Sequence, residues 1–131
     1  MHFLLYGQEQ KDSLGSIISH SVHESPFEIS RTSMYLHLPD SLGGRNTSGL
    51  TAIQLYINSS SKIDSFHIIK LKTIINGKTK IDFGIGMDMT SDVKRFNPFL
   101  SRYLERCVKV SQVKNTKVDT TTLMTLIVRF K

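Results

Sequence analysis

Residues 66–75 read Phe66-His67-Ile68-Ile69-Lys70-Leu71-Lys72-Thr73-Ile74-Ile75, and Asn76-Gly77 and Lys78-Thr79-Lys80-Ile81-Asp82-Phe83 follow. This stretch decides the fold. Asn-Gly is a strong short-range hairpin signal, usually a two-residue type I′ turn. Beyond it, Ile81, Phe83, Ile85, Met87 and Met89 recur at every second position, the period of a half-buried strand. A hairpin over 66–89 is therefore predicted. With a two-residue turn, Lys70 would face Phe83 and Lys72 would face Ile81, and a slip of one residue moves every side chain to the other face. A three-residue loop, Ile75-Asn76-Gly77, restores the parity. Leu71 then faces Ile81, Ile69 faces Phe83 and His67 faces Ile85, with Ile69, Leu71, Ile81, Phe83 and Ile85 pointing inward. On the outer face Lys70 pairs with Asp82 and Lys72 with Lys80, so Lys70, Lys72, Lys78 and Lys80 are expected to share one surface. Phe66 and Ile68 sit on that surface by parity, opposite Gly86 and Gly84. They form a candidate apolar contact for a partner, unless another element of the same chain covers them.

Working outward, Leu50–Asn58 alternates through Ile53, Leu55 and Ile57, and Val118–Phe130 through Met124, Leu126, Val128 and Phe130. Both read as strands. Phe27–Leu38 reads as one strand whose apolar phase shifts between Ile29 and Met34, which a bulge near Thr32-Ser33 would explain. Met1–Tyr6 is a short apolar strand, and part of Val110–Val118 an edge strand. Pro39–Gly49 is the longest turn-rich stretch and is expected to be a mobile loop. After Met89 the period becomes helical. Thr90-Ser91-Asp92 can cap one turn, and Asn97-Pro98 is a better helix start. In the helix expected over 98–109, Leu100, Tyr103, Leu104, Cys107 and Val108 form one side. Arg102, Arg106 and Lys109 form the other, with Glu105 paired to Lys109. A short helix near 13–20, capped by Asp12 or Ser13, is weakened by Gly15. The expected architecture is α+β: a mainly antiparallel sheet of about six strands, one main amphipathic helix, and a single compact domain over 1–131.

The net charge of +6 is unevenly spread, −2 over residues 1–61 and +8 over 62–131. Such asymmetry points to a polyanionic partner, namely nucleic acid, an anionic membrane surface or an acidic protein face. No apolar run is long enough for a membrane span, and Met1-His2-Phe3-Leu4-Leu5-Tyr6 is too short for a secretory signal core. The single cysteine, Cys107, excludes an intramolecular disulfide framework and fits a reducing compartment. The expectation is a protein of the cytoplasm or nucleus, not secreted, with a peripheral place at a membrane as the alternative. The sequons at Asn46 and Asn58 read as chance matches in polar turns.

Catalytic chemistry finds little support. His20 and His23 lie three apart, yet Glu24, His37, His67 and Cys107 have no spacing that completes a metal site. Cys107 lies on the apolar helix stripe and reads as a small core residue. No glycine-flanked nucleophile elbow occurs, and Leu42-Gly43-Gly44-Arg45 lacks the Lys-Ser/Thr of a phosphate loop. No catalytic residue, metal ligand or cofactor is therefore expected. The basic residues Lys70, Lys72, Lys78, Lys80, Arg102, Arg106 and Lys109 are the candidate polyanion-binding set. The leading expectation is a non-enzymatic structural or assembly protein, self-associating, whose basic face contacts nucleic acid or anionic lipid. Small viral matrix and nucleocapsid-associated proteins are comparable by fold-level analogy alone. The alternatives are an interaction subunit docking an acidic protein partner, and a small hydrolase or nuclease with a site assembled from distant residues.

Overall fold

In a computed structural model, which describes residues 18–19, 25–33, 35–113 and 120–131, the hairpin joins β5 (Ile63–Ile75) to β6 (Lys78–Phe83). Ile75 pairs with Lys78, so the turn is the two-residue Asn76-Gly77, with φ of 52° and 79°. Two positive φ values define a type I′ turn, whose twist matches that of the flanking strands. The parity is restored elsewhere: Ile74 pairs with Thr79 and Thr73 with Ile81, leaving Lys80 as an extra residue. This is a β-bulge. Leu71 then pairs with Phe83 and Lys72 with Asp82. The three-residue loop and the pairs Leu71–Ile81, Ile69–Phe83, Lys70–Asp82 and Lys72–Lys80 are thereby corrected.

The second arm also stops earlier than residue 89. The Met87 N–H donates to the Gly84 carbonyl at 3.2 Å, and Gly86 has a φ of 87°. A positive φ at the third position is what a type II turn requires. Ile85 and Met87 therefore lie on a turn and are exposed, which corrects the strand predicted through both and the inward position and His67 pairing predicted for Ile85. Phe66 and Ile68 consequently have no strand glycines opposite them.

Upstream of the hairpin are β1 (Ile18–Ser19), β2 (Phe27–Arg31), β3 (Tyr35–Leu36) and β4 (Thr47–Ile57). Downstream lie α1 (Ser91–Lys94), α2 (Phe96–Cys107), β7 (Val108–Gln112) and β8 (Thr122–Phe130). Among the described residues one sheet has the order β1-β8-β4-β5-β6 with β3 also beside β8, and β2 pairs with β7 in a second. This is the mainly antiparallel α+β architecture that the alternation predicts.

Several boundaries differ for physical reasons. The expected strand 27–38 is two strands: Phe27–Arg31 runs antiparallel to β7, and Tyr35–Leu36 runs parallel to Arg129 and Phe130 of β8. Its phase shift marks a change of partner. Within 39–49, Asp40–Leu42 forms a 3-10 turn, while Thr47-Ser48-Gly49 already belongs to β4. Thr90 caps α1 as expected, its Oγ1 accepting the Val93 N–H at 3.4 Å. Helix α2 begins at Phe96 and ends at Cys107, not at residues 98 and 109. Pro98 fits its first turn, where backbone N–H groups lack helical acceptors. The expected strand Met1–Tyr6 lies outside the described residues. So does the short helix near 13–20, except Ile18 and Ser19, which pair in parallel with Thr122 and Leu123.

By its internal contacts the chain divides into two units. The first comprises residues 1–32, 53–67 and 108–126 and buries Phe27, Ile29, Ile53, Leu55, Ile57 and Leu126. Ser25 anchors the entry to β2: its Oγ accepts the Phe27 N–H at 3.1 Å and donates to the Phe27 carbonyl at 3.0 Å. The second comprises 33–52, 68–107 and 127–131. There α2 buries Phe96, Leu100, Tyr103 and Leu104, the spacing of one helical face. The Phe96 and Phe130 rings lie 6.0 Å apart at 39°, and the Tyr103 hydroxyl donates to the Ser33 carbonyl at 3.1 Å.

Gly49 is obligatory in this second unit. Its φ is 137°, and a Cβ there would lie 1.9 Å from the Lys72 carbonyl oxygen, whereas a Cβ on Gly77 would meet open space. Gly77→Ala should cost about 1–2 kcal/mol, the penalty of a left-handed L-residue. Gly49→Ala should cost about 3 kcal/mol or more, because strain and backbone overlap combine. Urea unfolding of the two variants measures the difference, and equal losses would contradict the close approach.

Candidate polyanion-binding surface

Grouping the chain by unit keeps a charge asymmetry, though a narrower one than the split of −2 and +8 along the sequence. The second unit holds eleven basic and five acidic residues, a net charge of +6. The described residues of the first hold three basic and two acidic side chains, Arg31, Lys62 and Lys109 against Glu28 and Asp64, and are close to neutral.

Most of the candidate side chains belong to the second unit. Lys70, Lys78, Lys80, Arg102 and Arg106 are exposed, and Lys72 is half-buried. The Lys70 carbonyl accepts a hydrogen bond from Thr51 Oγ1 at 2.7 Å, which holds its backbone to β4. Lys72 lies opposite Asp82, an unlike pair rather than the like-charged pair expected with Lys80. Lys78 lies opposite Ile75, so by alternation it shares the side of Thr73 and Leu71. The four lysines therefore do not line one face, because the register comes from a type I′ turn plus a bulge. Arg102 and Arg106 lie four apart on α2 and share a face.

The remaining candidates separate from this set. Lys109 is exposed on β7, opposite Ser30, in the first unit. It is not on α2, so helical spacing to Glu105 does not apply. Ile68 is 2 % exposed and is not open to a partner. Phe66 is half-buried in the first unit. Lys114 and Lys117, neighbours of the basic set in sequence, lie outside the described residues.

Two features escape a reading of the sequence by charge and alternation. Arg95 Nη2 donates to the Ser41 carbonyl at 2.5 Å, holding a basic residue to the 3-10 turn. Ile85, 88 % exposed, and Met87, 55 % exposed, stand out from the turn after β6. The pair Gly84 and Gly86 was the available signal for that turn.

The sheet suggests a further role for the hairpin lysines. Among the described residues, strand β6 ends the order of the larger sheet, and an edge strand is a template for unwanted pairing unless lysines or a bulge blunt it. Lys78, Lys80 and the bulge supply both devices.

Among the described residues, no group of three or more His, Cys, Asp or Glu side chains could hold a metal ion. His37 Nδ1 lies 2.7 Å from the Lys131 carbonyl, the His67 ring is 5.5 Å from that of Tyr56, and Cys107 is half-buried. His20, His23 and Glu24 lie outside the described residues. No helix among the described residues is long and apolar enough to cross a membrane. Comparison of the chain with protein-family models, curated proteins and solved structures finds no match.

The cross-strand pair is directly testable. A double-mutant cycle on Lys72→Ala and Asp82→Ala should give a favourable coupling of about 0.2–1 kcal/mol. Lys70→Ala and Lys80→Ala should each change stability by no more than about 0.5 kcal/mol, as exposed substitutions usually do. Zero coupling would contradict the register.

Proposed function

We propose that this protein is a non-enzymatic structural or assembly protein whose second unit docks on a polyanion. The observation that carries the reading is the segregation of charge, +6 on one unit against a near balance over the described residues of the other. Ordinary solubility requires net charge but does not require its segregation. The exposed Lys70, Lys78, Lys80, Arg102 and Arg106 are the groups that would meet phosphates. Nucleic acid and anionic lipid both present that chemistry. Each basic residue close to an anionic bilayer contributes about 1 kcal/mol, so a few of them support reversible adsorption. Self-association would strengthen it by avidity.

Parallel binding to single-stranded RNA, duplex DNA and phosphatidylserine vesicles across a salt series tests the reading. For about five phosphate contacts on nucleic acid, affinity should fall on the order of 10²–10³-fold between about 50 and 200 mM salt. Reversing Lys70, Lys78, Lys80, Arg102 and Arg106 to Glu should abolish binding and leave the circular dichroism spectrum unchanged. Reversing Lys62 and Lys109, which belong to the first unit, should weaken it much less. Failure to bind any of the three polyanions at low salt would refute the proposal.

A further inference from the structure

We infer that the turn at Gly84–Met87 is an insertion loop that enters the headgroup region of an anionic bilayer. The inference rests on the polyanion-docking reading and names lipid as the polyanion.

Three large apolar side chains among the described residues are well exposed, and two of them, Ile85 and Met87, share this one turn. The turn is closed on itself. The Met87 N–H donates to the Gly84 carbonyl, and Met87 Sδ accepts the Gly84 N–H at 3.3 Å. It also stands clear of its surroundings, since a Cβ on either Gly84 or Gly86 would have no atom within 4 Å beyond its chain neighbours. Gly86 with its positive φ is the residue that the turn requires. Nothing in the turn geometry requires Ile85 to be apolar, and leaving a large aliphatic side chain in water is unfavourable.

The size of the feature selects its partner. A stable protein interface needs roughly 800 Å² from each side, far more than two side chains offer. Nucleobase recognition by stacking needs a π-face, which isoleucine and methionine lack. The exposed aromatic of the second unit, Tyr35, already has Lys131 Nζ 4.9 Å from its ring centroid. A bilayer interface accepts a few apolar side chains when attraction to anionic lipid supplements them. The turn belongs to the unit that carries the net charge of +6. Exposed Asp88 and Asp92 follow it, so the local contribution to binding is apolar and the attraction comes from the rest of the unit.

The protein contains no tryptophan, so Ile85→Trp introduces a single emission reporter at an exposed position. With vesicles of phosphatidylserine and phosphatidylcholine, that emission should shift to the blue and be quenched by brominated acyl chains. Vesicles of phosphatidylcholine alone should produce neither effect. The double variant Ile85→Ser and Met87→Ser should weaken partitioning into the anionic vesicles by about tenfold or more, with unchanged heparin affinity and unchanged thermal unfolding. Co-sedimentation with an unshifted, unquenched Trp signal would overturn the insertion while leaving electrostatic docking intact. Binding to heparin or RNA without binding to anionic vesicles would overturn lipid as the partner and leave the basic unit as a nucleic-acid surface. Absence of binding to all of them would overturn both.

Discussion

Leu71 and Phe83 must meet on the buried face across β5 and β6, and the placement of the hairpin's charges follows from that pairing. The type I′ turn fixes one end of the ladder at Ile75 and Lys78. Between that turn and Phe83 the second strand has one residue too many, and the bulge at Lys80 absorbs it. Burying two such side chains is worth about 1.5–3 kcal/mol each. A ladder hydrogen bond lost at the bulge costs about 1 kcal/mol net, so burial sets the register. Lys72 is thereby brought opposite Asp82, and Lys78 is moved to the side of Leu71 and Thr73.

The hairpin lysines thus answer to two demands. As part of an edge strand, Lys78 and Lys80 discourage pairing with another sheet. As part of a unit with a net charge of +6, they contribute to a field that raises the local concentration of anions. Edge protection explains lysine on β6, but it does not explain the exposed Arg102 and Arg106 on α2. The proposed polyanion docking would account for those two arginines.

Much of this was legible in the sequence, and the failures share a cause. Alternation located β4, β5, β6 and β8 and identified Leu71 and Phe83 as core, because a period of two is a local property. It could not locate the end of β6: Ile85, Met87 and Met89 continue the pattern into a turn that Gly84 and Gly86 terminate. Parity showed that something had to shift in the hairpin, yet a longer loop and a bulge satisfy the same parity. The phase change in 27–38 was visible, but its meaning, two strands with two different partners, depends on contacts distant in sequence. Lys109 joined the helical set by spacing alone, whereas β-pairing begins at Val108. The division of charge between units depends on which segments pack together, and it is narrower than the split along the sequence because Lys62 and Lys109 belong to the first unit.

The most direct measurement of the proposed docking is an amide chemical-shift titration of the isotopically labelled protein with a short heparin oligosaccharide at low salt. Residues 70–80 and 102–106 should shift together and saturate with one affinity, while Phe27–Arg31 and Val108–Gln112 stay still. Shifts spread evenly over both units, or concentrated in the first, would contradict a basic docking unit.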